Sequence, residues 1–331
     1  MPMAKYPADT VSLVADVGGT NTRVALCREA ELLTETVRKF SNAQFAGLGA
    51  VLREYLDAEP VDCAGAAVAI AGPVRDGRGT LTNLDWSVDP EMLARATQAK
   101  TVAVLNDLQA QGYAMGRIDA ANLVEVVKGP QVAGGTRLVI GVGTGFNAAV
   151  VHDAPGGRIV PPSEAGHANM PLRTEEELRL CKFVETSHGF PAVEDVLSGR
   201  GLEHIYAWVC SEAGSHEEMR AADIMSSAET NANAAEAIRW FVRILGTVAG
   251  NLSLIHLPFG GVSMIGGVAR AMRPYLNGYG FATAFRDKGR FAGFMNNFHV
   301  DLVEDDFAAL SGLAVHISRQ VETSRNRTGF E

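Results

Sequence analysis

Asp16, Gly18, Gly19, Thr20 and Asn21 fall together at the end of an apolar run within VSLVADVGGTNTRVAL (11–26). Glycine in a turn lets a ligand approach main-chain N–H groups with no Cβ in the way. Consecutive N–H groups form a concave anion site, to which Thr20 and Asn21 add side-chain donors. A phosphate fits such a turn. Asp16 is badly placed to touch that phosphate but well placed to hold Mg2+ through water, because Mg2+ takes oxygen ligands and keeps several waters. Taken alone, the stretch reads equally well as an ordinary Gly-Gly hairpin. A second such turn, Gly143-Thr144-Gly145, follows another apolar run. Gly266-Gly267 stands at a strand end before a helix, where a nucleotide could approach the backbone and the helix N-terminus; helix packing explains that pair almost as readily.

Phosphoryl transfer needs phosphate donors, a metal and a base aimed at the attacking hydroxyl. Asp107 is the best candidate base, a carboxylate after a buried strand and beside the amide of Asn106, which could bind a neighbouring hydroxyl. An Asn-Asp helix cap is the competing explanation. Glu164 and His167, in the turn-like SEAGH, suit a polyhydroxylated ligand, since each can engage adjacent hydroxyls. With Glu194 they could also suggest a metal site, but no second histidine lies at ligand spacing.

These groups need elements to hold them. The first run predicts a strand, a glycine turn and a returning strand (Thr22 to Leu26). Helical spacing of Phe45, Leu48, Val51, Leu52, Tyr55 and Leu56 predicts a helix from about Ala43 to Ala58. Strands follow at AGAAVAIAGPV and TVAVL, with a helix opened by Asp89-Pro90 between them. Val127 to Thr136 reads as a loop. Leu138 to Val142, the turn at 143–145 and Ala148 to Val151 then repeat the opening pattern. Thr174 and Glu177 make a capping box, and Asn231 to His256 a long helix with a buried face. A strand at Val262 to Ile265 leads into a helix, a further strand lies around His299 to Val303, and a C-terminal helix begins near Asp305. Strands alternating with helices argue for mostly parallel, helix-covered sheets, with ligands at the carboxyl ends of the strands.

At 331 residues and 47% hydrophobic content the chain can bury a large core and form two lobes. A net charge of −9 with no long basic run argues against nucleic acid or an anionic membrane surface as partner. Four scattered cysteines without a CxxC pair suggest neither a zinc site nor a disulfide framework. The N-terminus lacks the apolar core of a signal peptide, and a cytoplasmic location is expected.

Taken together, the motifs resemble those of the bacterial glucokinases, ATP-dependent hexokinase-type members of the actin-like ATPase superfamily. The matching segments run in family order through nearly the whole chain: ADVGGTNTRVAL (15–26), AIAGPV (69–74), LTNLDW (81–86), LNDL (105–108), GVGTG (141–145), SEAGHANM (163–170), VEDVLSGRGL (193–202), GGVSMIGGVAR (260–270) and FRDKGRF (285–291). No single one decides the matter; the ordered set is specific. The resemblance implies a two-domain α/β fold of the ribonuclease H-like kind, with mixed sheets, helices on both faces and a cleft between domains that closes on sugar. The small domain would take residues 1–110 plus the C-terminal helix (about 305–331), and the large domain 111–304.

The resemblance also implies roles. Asp16 would act near Mg2+, with Gly18, Gly19, Thr20 and Asn21 as the first phosphate loop and Gly143, Thr144 and Gly145 as the second. Gly266, Gly267 and Val268 would lie by adenosine. Asn83, Asn106, Glu164, His167 and Glu194 would hold sugar hydroxyls, and Asp107 would take the proton from the 6-hydroxyl of D-glucose as it attacks the γ-phosphate of ATP. A homodimer is expected. Two positions depart from the family pattern: Phe146-Asn147 replaces leucine and glycine after GVGTG, which puts the second loop's phosphate affinity and the sugar preference in question, and Leu108 replaces phenylalanine. The rival readings are a kinase for mannose, fructose or an N-acetylhexosamine, and a sugar-sensing regulator that does not phosphorylate. The first group usually carries a cysteine-rich zinc motif after its active-site histidine, and ANMPLRTEEE after His167 has no cysteine. The second needs a DNA-binding module, for which no basic stripe is present.

Overall fold

The computed structural model describes Pro7 and residues 10–81 and 84–328, without the side chains of Ser187, His188 and Thr328. The chain divides into two compact units, one made of Met1–Ile118 with Asp305–Glu331 and the other of Asp119–Glu304.

In the first unit, β1 (Val11–Val17), β2 (Asn21–Arg28) and β3 (Glu31–Ser41) follow one another as antiparallel hairpins. Next come β4 (Cys63–Ile70), a small sheet of β5 (Val74–Arg75), β6 (Arg78–Thr80) and β7 (Ser87–Val88), and then β8 (Thr101–Asn106). The main sheet has the order β3-β2-β1-β4-β8, with β4 and β8 parallel to β1. Side chains alternate across its two faces, as the period of a strand requires. Leu13, Ala15 and Val17 pack with Val51, Leu52 and Tyr55 of the helix Leu48–Ala58. Val14, Ala67 and Ala69 pack with Leu313, Ala314 and Ile317 of the helix Ala308–Thr328. Burial on both faces is why these strands read as unbroken apolar runs.

The second unit holds β9 (Leu123–Val127), β10 (Arg137–Val142), β11 (Phe146–Ala154), β12 (Gly157–Ile159), β13 (Val262–Ile265) and β14 (Val300–Val303). Its order is β12-β11-β10-β13-β14-β9. Three antiparallel strands followed by two parallel ones repeat the arrangement of the first unit, with β9 added antiparallel at the far edge. The helix Ala232–His256 passes a length-and-composition test for a membrane span, but most of its apolar window is buried inside the fold.

Several elements differ from the sequence reading. The sheets are mixed rather than mostly parallel, because each opening hairpin contributes antiparallel strands. The first long helix starts at Leu48, not Ala43: Phe45 is extended, and its ring meets Phe40 edge-on at 5.8 Å. β3 and β9 are both edge strands: β3 is exposed along much of its length and lacks a clean apolar alternation, while β9, LVEVV, is only five residues long with Glu125 its one exposed residue. The caps are as expected. Asp89 accepts from the Met92 N–H at 2.7 Å, and Thr174 and Glu177 form a reciprocal box.

Candidate active site

In the first unit the candidate groups gather at the carboxyl ends of β1, β4 and β8. The β1–β2 turn is closed by Gly18 N–H donating to the Asn21 carbonyl at 3.0 Å. Its other carbonyls face the protein: Asn42 donates from its side-chain amide to Gly18 O at 2.8 Å and from its backbone N–H to Thr20 O at 2.9 Å. The Thr22 hydroxyl donates to Asn42 Oδ1 at 2.8 Å and fixes the amide's orientation. Among the described residues, nothing accepts a hydrogen bond from the main-chain N–H of Gly19 or Thr20. Carbonyls held inward and amides left outward make a donor-rich concavity, the kind of site that takes an anion.

Asp16 pairs with Arg23 across the hairpin, its carboxylate 4.0 Å from the guanidinium. Burial pushes the Asp16 carboxyl above the usual carboxylate range, and Arg23 pulls it back in part. Two strands away, Asn106 ends β8 and caps the helix Asp107–Ala114. Its Oδ1 accepts from Leu108 N–H at 3.0 Å, and its amide donates to Gly72 O at 3.1 Å beyond the end of β4. Asp107 is the first residue of that helix, and its own carboxylate accepts from the Leu108 N–H at 2.7 Å. The cap and the candidate base are therefore the same local structure, and the two explanations of Asn106-Asp107 coexist. With strands about 4.8 Å apart, the ends of β1 and β8 lie about 10 Å from each other. Asn83 lies outside the described residues.

The second unit assembles its own group. Gly143 N–H donates to Gly145 O at 2.9 Å to close the β10–β11 turn, and Gly199 N–H donates to Gly143 O at 3.0 Å. Glu194 sits against that turn: its Oε2 accepts from Phe146 N–H at 2.8 Å, and a Cβ on Gly145 would overlap the carboxylate. The Glu194 backbone N–H donates to Gly166 O at 2.9 Å, which ties the turn to the segment carrying Glu164 and His167. Those two side chains are largely exposed, with Glu164 Oε2 3.9 Å from His167 Nε2. At the end of β13, Gly266 adopts φ 113°, and a Cβ there would overlap the Val142 carbonyl oxygen beside the turn. Only glycine fits both demands. Gly267 and Val268 follow in a short helix, Gly267–Ala271.

Known proteins resemble this chain over most of its length. The profile of the glucokinase family matches residues 13–320. A protein named glucokinase from Rhizobium meliloti (strain 1021) is 33% identical over 91% of this chain and 90% of its own length. The chain belongs to the glucokinase family. Another glucokinase, from Pectobacterium atrosepticum, is 32% identical over 93% of this chain and 97% of its own. The crystal structure of a glucokinase from an Antarctic psychrotroph superposes with a TM-score of 0.85 at 30% identity, covering 93% of this chain and 98% of that one. As expected for a glucokinase-family chain, the fold is α/β with mixed sheets of the actin-like ATPase kind.

The departures within the family pattern have a structural account. Phe146 points into the core, 3% exposed. Leu108 is buried as well, at 4%. Asn147 faces away from the turn and reaches Ser163 and Ala165. Sequence reading missed Asn42 altogether, because its side-chain partners lie 20 and 24 positions away and no local pattern marks them.

Proposed function

We propose that this chain transfers the γ-phosphoryl group of ATP to the 6-hydroxyl of D-glucose, giving ADP and glucose 6-phosphate. The observation that carries the reading is the carboxylate of Asp107, held at the first residue of a helix directly after β8 by the Asn106 cap. A carboxylate so placed suits one task. The 6-hydroxyl oxygen attacks the γ-phosphorus, its proton passes to Asp107, and the bond to ADP breaks. Among the described residues Asn106 spends only one amide hydrogen, on Gly72, which leaves the other to offer a sugar hydroxyl. Glu164, His167 and Glu194 hold other hydroxyls, with Asn83 as a further contact. The turns at 18–21 and 143–145 present N–H groups to phosphate, and Gly266, Gly267 and Val268 leave room for the nucleoside.

Asp16 fits Mg2+ held through water. It is a partly buried oxygen donor beside the phosphate turn, and Mg2+ takes few protein carboxylates together with substrate phosphates. When bound, the ion neutralises charge on the phosphates. Homodimerisation and a cytoplasmic setting belong to the same reading.

The test is ADP release with Mg-ATP over a panel of glucose, mannose, fructose, N-acetylglucosamine, N-acetylmannosamine and no sugar. A glucose signal that vanishes without sugar is the expected result. Turnover confined to another hexose would overturn the glucose assignment and keep the chemistry.

A further inference from the structure

Glu164 has little to hold it. Its side chain is 55% exposed, and among the described residues its one ion-pair contact is the 3.9 Å approach to His167, which is itself 66% exposed. A ligand-binding carboxylate in that setting takes its position from the main chain beneath it. That main chain rests on two consecutive residues of β11. Side chains of a strand alternate between faces, so Phe146 enters the core while Asn147 points to the opposite side, where residues 163–165 pass.

The contacts are specific. The Asn147 amide donates to the Ser163 carbonyl, one residue before Glu164. Its Oδ1 accepts from the Ala165 N–H at 3.0 Å, one residue after, and from the Ala148 N–H at 2.8 Å in its own strand. One amide thus grips the chain on both sides of Glu164. Gly166 packs against the Phe146 carbonyl so closely that a Cβ would overlap it, which seats the turn carrying His167. A residue without a side-chain amide at position 147 could supply none of these bonds.

We propose that Asn147 is a positioning residue for the sugar side of the site: its side-chain amide sets the place of Glu164 and thereby the affinity for hexose, leaving the nucleotide to the turn at 143–145. The inference rests on the sugar-binding reading of Glu164 and His167. It predicts a split between substrates. Three hydrogen bonds to the main chain are lost in Asn147→Ala, two of them to the segment carrying Glu164, and Asn147→Asp keeps the acceptor for Ala165 and Ala148 while losing the donor to Ser163.

The experiment measures KM for glucose, KM for ATP and kcat in the wild type, N147A and N147D, with melting temperatures and with glucose titration in the absence of nucleotide. The expected result for N147A is a KM for glucose raised roughly tenfold, about 1.4 kcal/mol, with KM for ATP and kcat nearly unchanged and N147D in between. If N147A does not fold, N147D and its glucose titration carry the test. Equal rises in both KM values, or an unchanged KM for glucose in a variant that melts normally, would overturn the positioning role while glucose turnover by the wild type still stands. A wild type that turns over a different hexose moves the same readout to that sugar. A wild type that binds no hexose sinks the sugar reading and this inference with it.

Discussion

The side-chain amide of Asn42 donates to the Gly18 carbonyl at 2.8 Å, across 24 positions of sequence. With its backbone bond to Thr20 O and its acceptance of the Thr22 hydroxyl, Asn42 keeps the turn's carbonyls pointing inward. Asn42→Ala removes two bonds of a residue only 2% exposed. A loss of about 2 kcal/mol in stability is expected, at about 1 kcal/mol per buried bond. The freed Gly18 carbonyl can then turn toward the phosphate. KM for ATP should rise roughly fivefold or more while KM for glucose stays near its starting value, since about 1 kcal/mol is worth about fivefold. Steady-state kinetics against each substrate checks this, and parallel changes in both would show that Asn42 serves stability alone.

The hairpins, the buried strands and the helix caps were legible in sequence because each is a local pattern: an apolar run, a glycine turn, an Asp-Pro or a Thr-x-x-Glu box. The glycine turns and the Asn106-Asp107 helix start were legible for the same reason. Asn42 was not, and Asn147 stood out only as a departure from the family pattern, because each acts through partners 16 or more positions away that only the folded topology brings near. Edge strands β3 and β9 escaped for a different cause. β3 is half-solvated and carries a weak hydrophobic signature, and β9 is a five-residue apolar run too short to be told from a loop or a buried turn of helix by period alone.

Asp107→Asn separates the base from the cap. The amide retains an oxygen for the Leu108 N–H, now accepted by the carboxylate at 2.7 Å, so the helix start survives. It cannot accept a proton at neutral pH. The expected result is a fall in kcat of about 10²- to 10⁴-fold, the usual worth of a positioned general base, with the melting temperature and glucose titration close to wild type. Turnover near the wild-type rate would remove Asp107 from the reaction.

Gly266→Ala tests the close approach of β13 to the second turn. The residue would have to keep φ 113° and place a methyl group on the Val142 carbonyl oxygen. Strain of this kind costs about 1–3 kcal/mol. The Val142 end of β10 should shift and take the 143–145 turn with it, so ADP affinity measured by titration should fall more than glucose affinity. A variant that melts and binds ADP as the wild type does would show that this end of the sheet yields without cost.

Asp16→Asn should stabilise the protein while harming its activity. Burial is the larger influence on the Asp16 carboxyl and raises its pKa in the fold, with Arg23 offsetting part of the effect. A carboxyl raised above its unfolded value of about 3.9 binds its proton more tightly when folded. Its contribution to stability is therefore fully present below that value and is lost as pH rises through the folded pKa. At neutral pH the ionised Asp16 works against the fold, whereas a neutral amide does not. The melting temperature of D16N should thus match the wild type near pH 4, pull ahead as pH rises, and keep its lead at pH 7 to 8. Over the same range Mg-ATP-dependent turnover should be strongly reduced, because the group that holds the hydrated ion is gone. A D16N variant that melts below the wild type at pH 7 would mean that the Arg23 pairing, and not burial, governs this carboxylate.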